Sequence, residues 1–135
     1  MTKKYDYRIT DERTSFKPFF YPWAYELWLK HEQSHWLHTE VPMAEDVKDW
    51  KNKLSKAEKH FLTNIFRFFT QGDIDVAGGY VKNYLPYFSQ PEVRMMLMGF
   101  AAREALHIAA YSHLIETLGL PDTTYNEFME FQEMK

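Results

Sequence analysis

Glu104, His107 and Tyr111 interrupt an otherwise apolar helical stripe in the segment REALHIAAYSHL. Val93, Leu97, Phe100, Glu104, His107, Tyr111, Leu114 and Leu118 advance by alternating fours and threes, so they share one helix face. That face is expected to be buried. A carboxylate and an imidazole one turn apart on a core-facing stripe must be neutralised, hydrogen-bonded or bound to a cation, because an isolated buried charge costs several kcal/mol. A metal ion satisfies both groups at once, and the phenol one turn further along would sit beside it.

The elements that hold these residues can be traced from their ends. Residues 1–21 are polar and then rich in Pro and Phe (SFKPFFYP), an extended arm expected to lie on another surface. From Pro22 the run PWAYELWLKHEQSHW reads as a helix with Pro at an early position, where its missing N–H leaves nothing unpaired. Pro42 ends that region, and a polar stretch rich in Lys and Asp leads to Ser55-Lys-Ala-Glu58, a capping box that opens a long helix. The stripe Leu62, Ile65, Phe66, Phe69, Asp73, Val76, Ala77 and Tyr80 keeps the helical period to about Leu85, and only Asp73 breaks its apolar character. Pro86 stops it. Ser89-Gln-Pro-Glu92 supplies a second capping box and an N-terminal Pro for the next helix, which ends near Gly119 with Pro121 just beyond. The last segment, DTTYNEFMEFQEMK, offers Asp122 and Thr123 as caps and runs in helix-forming residues to the end.

Two long helices joined by a short connection are expected to pack antiparallel, so residues equally far from the turn face each other. With the turn near residue 88, Asp73 lies about fifteen residues before it and Glu104 about sixteen after, which brings the lone acid of one stripe to the lone acid of the other. This convergence matters because Glu-x-x-His by itself is weak: twelve Glu and six His in 135 residues give about half an occurrence by chance. On that pair alone, a core histidine hydrogen-bonded to its own carboxylate accounts for the pattern. Three converging ligands dominated by oxygen suit iron or manganese better than structural zinc. A second match, Glu32-Gln-Ser-His35, lies among Lys30, His31 and Gln33 and reads as a solvated coincidence. Asp75 falls opposite Asp73, and His60 and His113 lie off the stripes with no role assigned.

Bulk composition bounds the rest. A chain of 135 residues, 45% hydrophobic, is long enough for one folding unit with a core. A net charge of −3 spread without a basic stripe does not indicate nucleic acid. Cysteine is absent, which removes disulfides, thiolate sites and thiol nucleophiles. No run of roughly 18 apolar residues occurs, so no membrane span is expected. The start MTKKYDYRITDERTS lacks the apolar stretch of a secretory signal, and the chain reads as cytoplasmic.

From YPWAYELWLKHEQSHW through EVPMAEDVKDWKNKLSKAEKHFLTNIFRFFTQGDIDVAGGY to MMLMGFAAREALHIAAYSHLIETLGLP, the chain resembles the small, radical-generating subunit of class I ribonucleotide reductase. Four features match jointly and in order: an upstream Trp before an acidic EVP stretch, an Asp in the first long helix, Glu-x-x-His in the second, and Tyr four residues after the His. The resemblance implies an all-α, ferritin-like helical bundle, incomplete here, with residues 22–135 as the N-terminal part of the domain. It implies that Asp73 and His107 hold one metal of a dinuclear iron or manganese centre and that Glu104 bridges. Tyr111 would store the tyrosyl radical, shielded by Phe66, Phe69, Phe100 and Ile108, and Trp36 would deliver an electron during activation and take part in radical transfer. The implied activity is reduction of ribonucleotides to deoxyribonucleotides, with the large subunit binding the nucleotide and the small subunit forming a homodimer.

Members of that family run longer and bring two further Glu, a second Glu-x-x-His and a docking tail from later helices. The expectation is therefore part of a longer or split subunit that needs a complementing C-terminal segment. Two other readings stay open: another ferritin-like carboxylate protein with two metals, and a non-catalytic helical module that binds a partner through its aromatic face. Tyr111 and Trp36 argue against the first.

Overall fold

In the computed structural model, residues 7–132 are described, without the side chain of Phe128, and among them there are helices and turns but no strand. None of these helices is long and apolar enough to cross a membrane. The helices are α1 (Pro22–Gln33), α2 (Ala44–Asn52), α3 (Lys56–Gly79), α4 (Pro91–Thr117) and α5 (Thr123–Phe128). A 3-10 turn at His38–Glu40 precedes α2, and a π-helical turn at Tyr80–Tyr84 follows α3.

α3 begins as its sequence predicts. The Ser55 N–H donates to Glu58 Oε2 at 2.8 Å and the Glu58 N–H to Ser55 Oγ at 3.3 Å, a reciprocal box that pairs two donors of the first turn. The helix leaves the α pattern earlier than its apolar period does: the Leu85 N–H reaches the Tyr80 carbonyl at 3.0 Å, closing a wider turn. α4 ends at Thr117, near Gly119 as expected, and the Gly119 φ of 76° lets the Leu120 N–H return to the Ile115 carbonyl.

Four expectations need correction. The polar connector before Ser55 contains a helix, α2, in which Val47 and Trp50 make a narrow apolar face and Glu45 and Asp46 sit in the first turn, where the helix dipole favours anions. α1 stops at Gln33 instead of reaching Trp36, because the Ser34 hydroxyl and N–H take the Lys30 carbonyl and Arg103 binds the carbonyls of His31 and Ser34 at 2.7 and 3.2 Å. Glu92 does not box with Ser89; its Oε1 accepts the N–H groups of Phe20 and Tyr21 at 2.8 and 2.9 Å. α5 closes at Phe128 with the Met129 N–H on the Asn126 carbonyl, since six residues are too few to propagate without packing. The last residues of the expected terminal helix, 133–135, lie outside the described residues.

The chain divides into two compact units: residues up to His35 with Val76–Arg103, and Trp36–Asp75 with residues from Glu104 onward. In the first, Ala24, Val93, Met96 and Leu97 form a buried cluster against which Tyr21, Trp28, Phe88 and Phe100 pack. Gly99 lets α4 pass close to an indole there, because a Cβ would stand 3.0 Å from Trp28 Cδ1 and the ring would have to give way. The arm is anchored by polar groups: the Arg13 side chain, 5% exposed, lies 4.0 Å from fully buried Glu92, bonds Gln90 and the Pro18 carbonyl, and sits over the Phe20 ring.

In the second unit Trp50, Ile115 and Leu118 are buried, and α5 is held by Arg67 to Glu127 at 2.7 Å and by the Tyr125 hydroxyl donating to Ser112 Oγ at 3.0 Å. The long stripes are less buried than their periodicity predicts. Val93 and Leu97 are enclosed, but Phe69 and Val76 remain 43% and 47% exposed, because the described chain leaves that side of the helix to solvent.

Candidate metal centre

The second unit brings Asp73 from α3 together with Glu104 and His107 from α4, one ligand atom of each lying within 4.8 Å of the others. The chain's geometry imposes this meeting. The capping box sets where α3 starts, Pro91 sets where α4 starts, and the helical repeat places residue 73 opposite residue 104. His107 Nδ1 and Glu104 Oε2 are 2.9 Å apart, the i, i+3 contact expected on one helix face. All three residues are partly buried, with side-chain exposures of 17% for Glu104 and 39% for His107. That is more solvent than a core stripe would receive.

The electrostatics of the group call for a cation. Burial and the nearby Glu104 carboxylate hold the Asp73 carboxyl above its ordinary range, opposed by His107. Two acids facing each other at this spacing repel, and a divalent ion cancels that repulsion. Two carboxylates and one imidazole are an oxygen-rich set that suits iron or manganese. The residues present therefore suit a carboxylate-rich metal centre.

Beside them lies an open cavity of about 510 Å³ lined by Trp36, Val41, Met43, Phe69, Asp73, His107, Ala110, Tyr111 and Leu114. Tyr111 and Phe69 stack nearly parallel, with ring centres 5.5 Å apart and planes at 8°. Burial, and then the Asp73 carboxylate, push the Tyr111 phenol above its ordinary value, so it stays protonated beyond the usual tyrosine range. Trp36 stacks on His107 at 6.3 Å with planes at 26°. An indole, an imidazole, a phenol and two carboxylates are thus gathered in one unit.

The structure brings all five residues singled out in the sequence, Trp36, Asp73, Glu104, His107 and Tyr111, together in this unit. The shielding wall is built differently. Phe69 covers Tyr111, but Phe66 faces Trp50 at 6.4 Å, Phe100 neighbours His31 and Tyr80, and Ile108 lines a separate cavity with Arg67 and Thr70. Val41 and Met43 line the same open cavity as Tyr111, and the run EVPM after Trp36 was the available signal. Glu32 and His35 are exposed, and α1 ends between them, so they share no helix face. Asp75 is exposed, and His60 lies 3.2 Å from the side chain of Asn64.

Comparison with known proteins is consistent with this geometry. The family described as ribonucleotide reductase, small chain, matches residues 13–135. A probable ribonucleoside-diphosphate reductase small subunit of Invertebrate iridescent virus 6 is 61% identical over 123 residues, covering 91% of this chain and 34% of that protein. Its counterpart in Invertebrate iridescent virus 3 is 60% identical over 128 residues, covering 95% and 34%. The chain thus spans about a third of the length of these curated relatives. Among solved structures, the ribonucleotide reductase R2 subunit from Clostridium botulinum matches with a TM-score of 0.80 at 22% identity, over 90% of this chain and 39% of that one, which gives the ferritin-like helical fold. The chain belongs to the small-chain family of ribonucleotide reductases.

Proposed function

We propose that this chain is the N-terminal part of the small subunit of a ribonucleoside-diphosphate reductase and holds half of its dinuclear metal centre together with the radical tyrosine. The observation that carries the reading is the convergence of Asp73, Glu104 and His107 beside a stacked, partly buried phenol. Asp73 and His107 would hold one iron or manganese ion, with Glu104 bridging to a second ion whose remaining ligands come from a complementing C-terminal segment. When bound, the group supplies the one-electron oxidation of a nearby phenol by way of oxygen.

The chain's own residues prepare for that chemistry. Tyr111 is held protonated by its surroundings, so loss of an electron has to be accompanied by loss of the phenol proton. Phe69 covers one ring face and limits the approach of water on that side. The Trp36 and His107 ring centres are 6.3 Å apart with planes at 26°, which places an oxidisable indole near a proposed ligand. The nucleotide binds to the large-subunit partner, and the small subunits pair as a homodimer; the chain's role is to hold the radical initiator in the cytoplasm, where deoxyribonucleotides are made.

An electron paramagnetic resonance spectrum after adding Fe(II) or Mn(II) and oxygen, with and without a polypeptide supplying the later helices, tests the reading. A tyrosyl signal in the mixture, lost in Tyr111→Phe while metal uptake persists, is the expected result. Metal uptake with no radical under any complementation would assign the site to another class of ferritin-like carboxylate protein, and failure to take up metal at all would leave only a helical partner module.

A further inference from the structure

The second unit contains another pair of metal-ligating side chains, separate from the oxygen-rich group. His38 lies in the 3-10 turn that follows Trp36, and this turn is set by the Leu37 N–H donating to Glu40 Oε2 at 2.8 Å and the Val41 N–H to the His38 carbonyl at 3.3 Å. His113 projects from α4, and the two imidazole centres are 5.7 Å apart with planes at 73°. His38 Nδ1 is enclosed by protein and has no hydrogen-bond partner among the described residues.

We propose that His38 and His113 form a second cation site, for a borderline divalent ion such as Zn²⁺, Cu²⁺ or Ni²⁺. The spacing supports it. With a metal–nitrogen bond of about 2.1 Å, two imidazoles on one ion have centres about 5.2 Å apart at the tetrahedral angle and about 6.4 Å apart at a straight one. The observed 5.7 Å lies between these limits, so the ring spacing is compatible with one shared ion. An edge-to-face aromatic contact would explain the spacing as well, but it leaves the enclosed Nδ1 of His38 unpaired, and unpaired buried nitrogens are uncommon.

The ligand type sets the ion. Two imidazoles without a carboxylate in the pair favour the borderline, nitrogen-preferring metals, whereas the group at Asp73 favours hard, oxygen-preferring ones. The inference does not depend on the assignment of the radical centre, since no residue is shared.

The test uses the chain freed of metal, with Asp73→Asn and Glu104→Gln removing the oxygen-rich group. Calorimetric titration with Zn²⁺ is expected to show one equivalent bound, and Cu²⁺ to give a resonance spectrum with two nitrogen ligands. His113→Gln should weaken Zn²⁺ by at least about tenfold, the lower end of what loss of even an outer partner costs. His60→Gln should leave the affinity unchanged. If His113→Gln loses helicity by circular dichroism, ring-nitrogen resonances of the intact pair decide instead: Zn²⁺ must shift both His38 and His113. The proposal is overturned by absence of stoichiometric binding, by binding that survives His113→Gln in a folded chain, or by resonances that do not move.

Discussion

Replacing Asp73 by Asn should make the metal-free chain more stable and the metal-bound chain weaker, two effects of opposite sign from one atom. The Asp73 carboxylate lies within 4.8 Å of ligand atoms on Glu104 and His107. Two unit charges at that distance repel by about 0.9 kcal/mol in water and about 3.5 kcal/mol at an effective dielectric of 20. The site is open on one side and His107 partly offsets the repulsion, so the lower end applies, and the amide should stabilise the metal-free fold by on the order of 1 kcal/mol at neutral pH. The sign with pH follows from the raised carboxyl. An acid whose folded value is raised favours folding fully below its unfolded value, 3.8 for this group, and that advantage is lost as pH climbs through the folded value. The gap between variant and native chain should therefore open on leaving acid and level off by neutrality. Urea denaturation after removal of metal, at several pH values and at low and high salt, measures it, and salt should shrink the gap. A metal-free Asp73→Asn chain less stable than the native one at neutral pH would show that Asp73 is a structural hydrogen-bonding group, and the charge argument for a cation site would fail.

The Tyr111 phenol, read as the absorbance difference between native and Tyr111→Phe chains, should titrate above the ordinary tyrosine value; both Phe69→Ala, which admits water, and Asp73→Asn, which removes the charge, should lower it. Gly99→Ala should cost about 1–3 kcal/mol of stability by urea titration, because its methyl meets Trp28 and a packed indole moves little. Glu92→Ala strands the N–H groups of Phe20 and Tyr21 and should cost about 1–3 kcal/mol, with the arm before Pro22 cut faster by protease while α4 is spared. Tyr111→Phe should leave Fe(II) or Mn(II) uptake, measured by equilibrium dialysis, within about twofold of native, since the phenol is not among the ligands.

Wherever the signal was local, the sequence was readable. Ser55 and Glu58 name each other across three residues, and Gly119 marks the end of α4 by the conformation only it tolerates there. The meeting of Asp73 with Glu104 was legible because it depends only on helix lengths and the position of a turn. What failed depended on distant partners. Glu92 looked like a cap, yet it serves backbone groups some seventy residues away that no local pattern reveals. α2 has only Val47 and Trp50 as an apolar face, too thin a period to separate from a polar loop, and tertiary contact through Trp50 makes it a helix. The periodicity of α3 showed which face is apolar but not whether anything covers it, so Phe69 and Val76 read as core and lie half in water.

The Glu92 anchor has a consequence for synthesis. The acceptor for the Phe20 and Tyr21 N–H groups lies 72 and 71 residues further along the chain. At about 5–20 residues per second, the arm leaves the ribosome about 4–14 s before the carboxylate that secures it exists. During that interval the Phe20 and Tyr21 N–H groups lack the acceptor that fixes them in the fold, so the arm is secured only after α4 has begun to emerge.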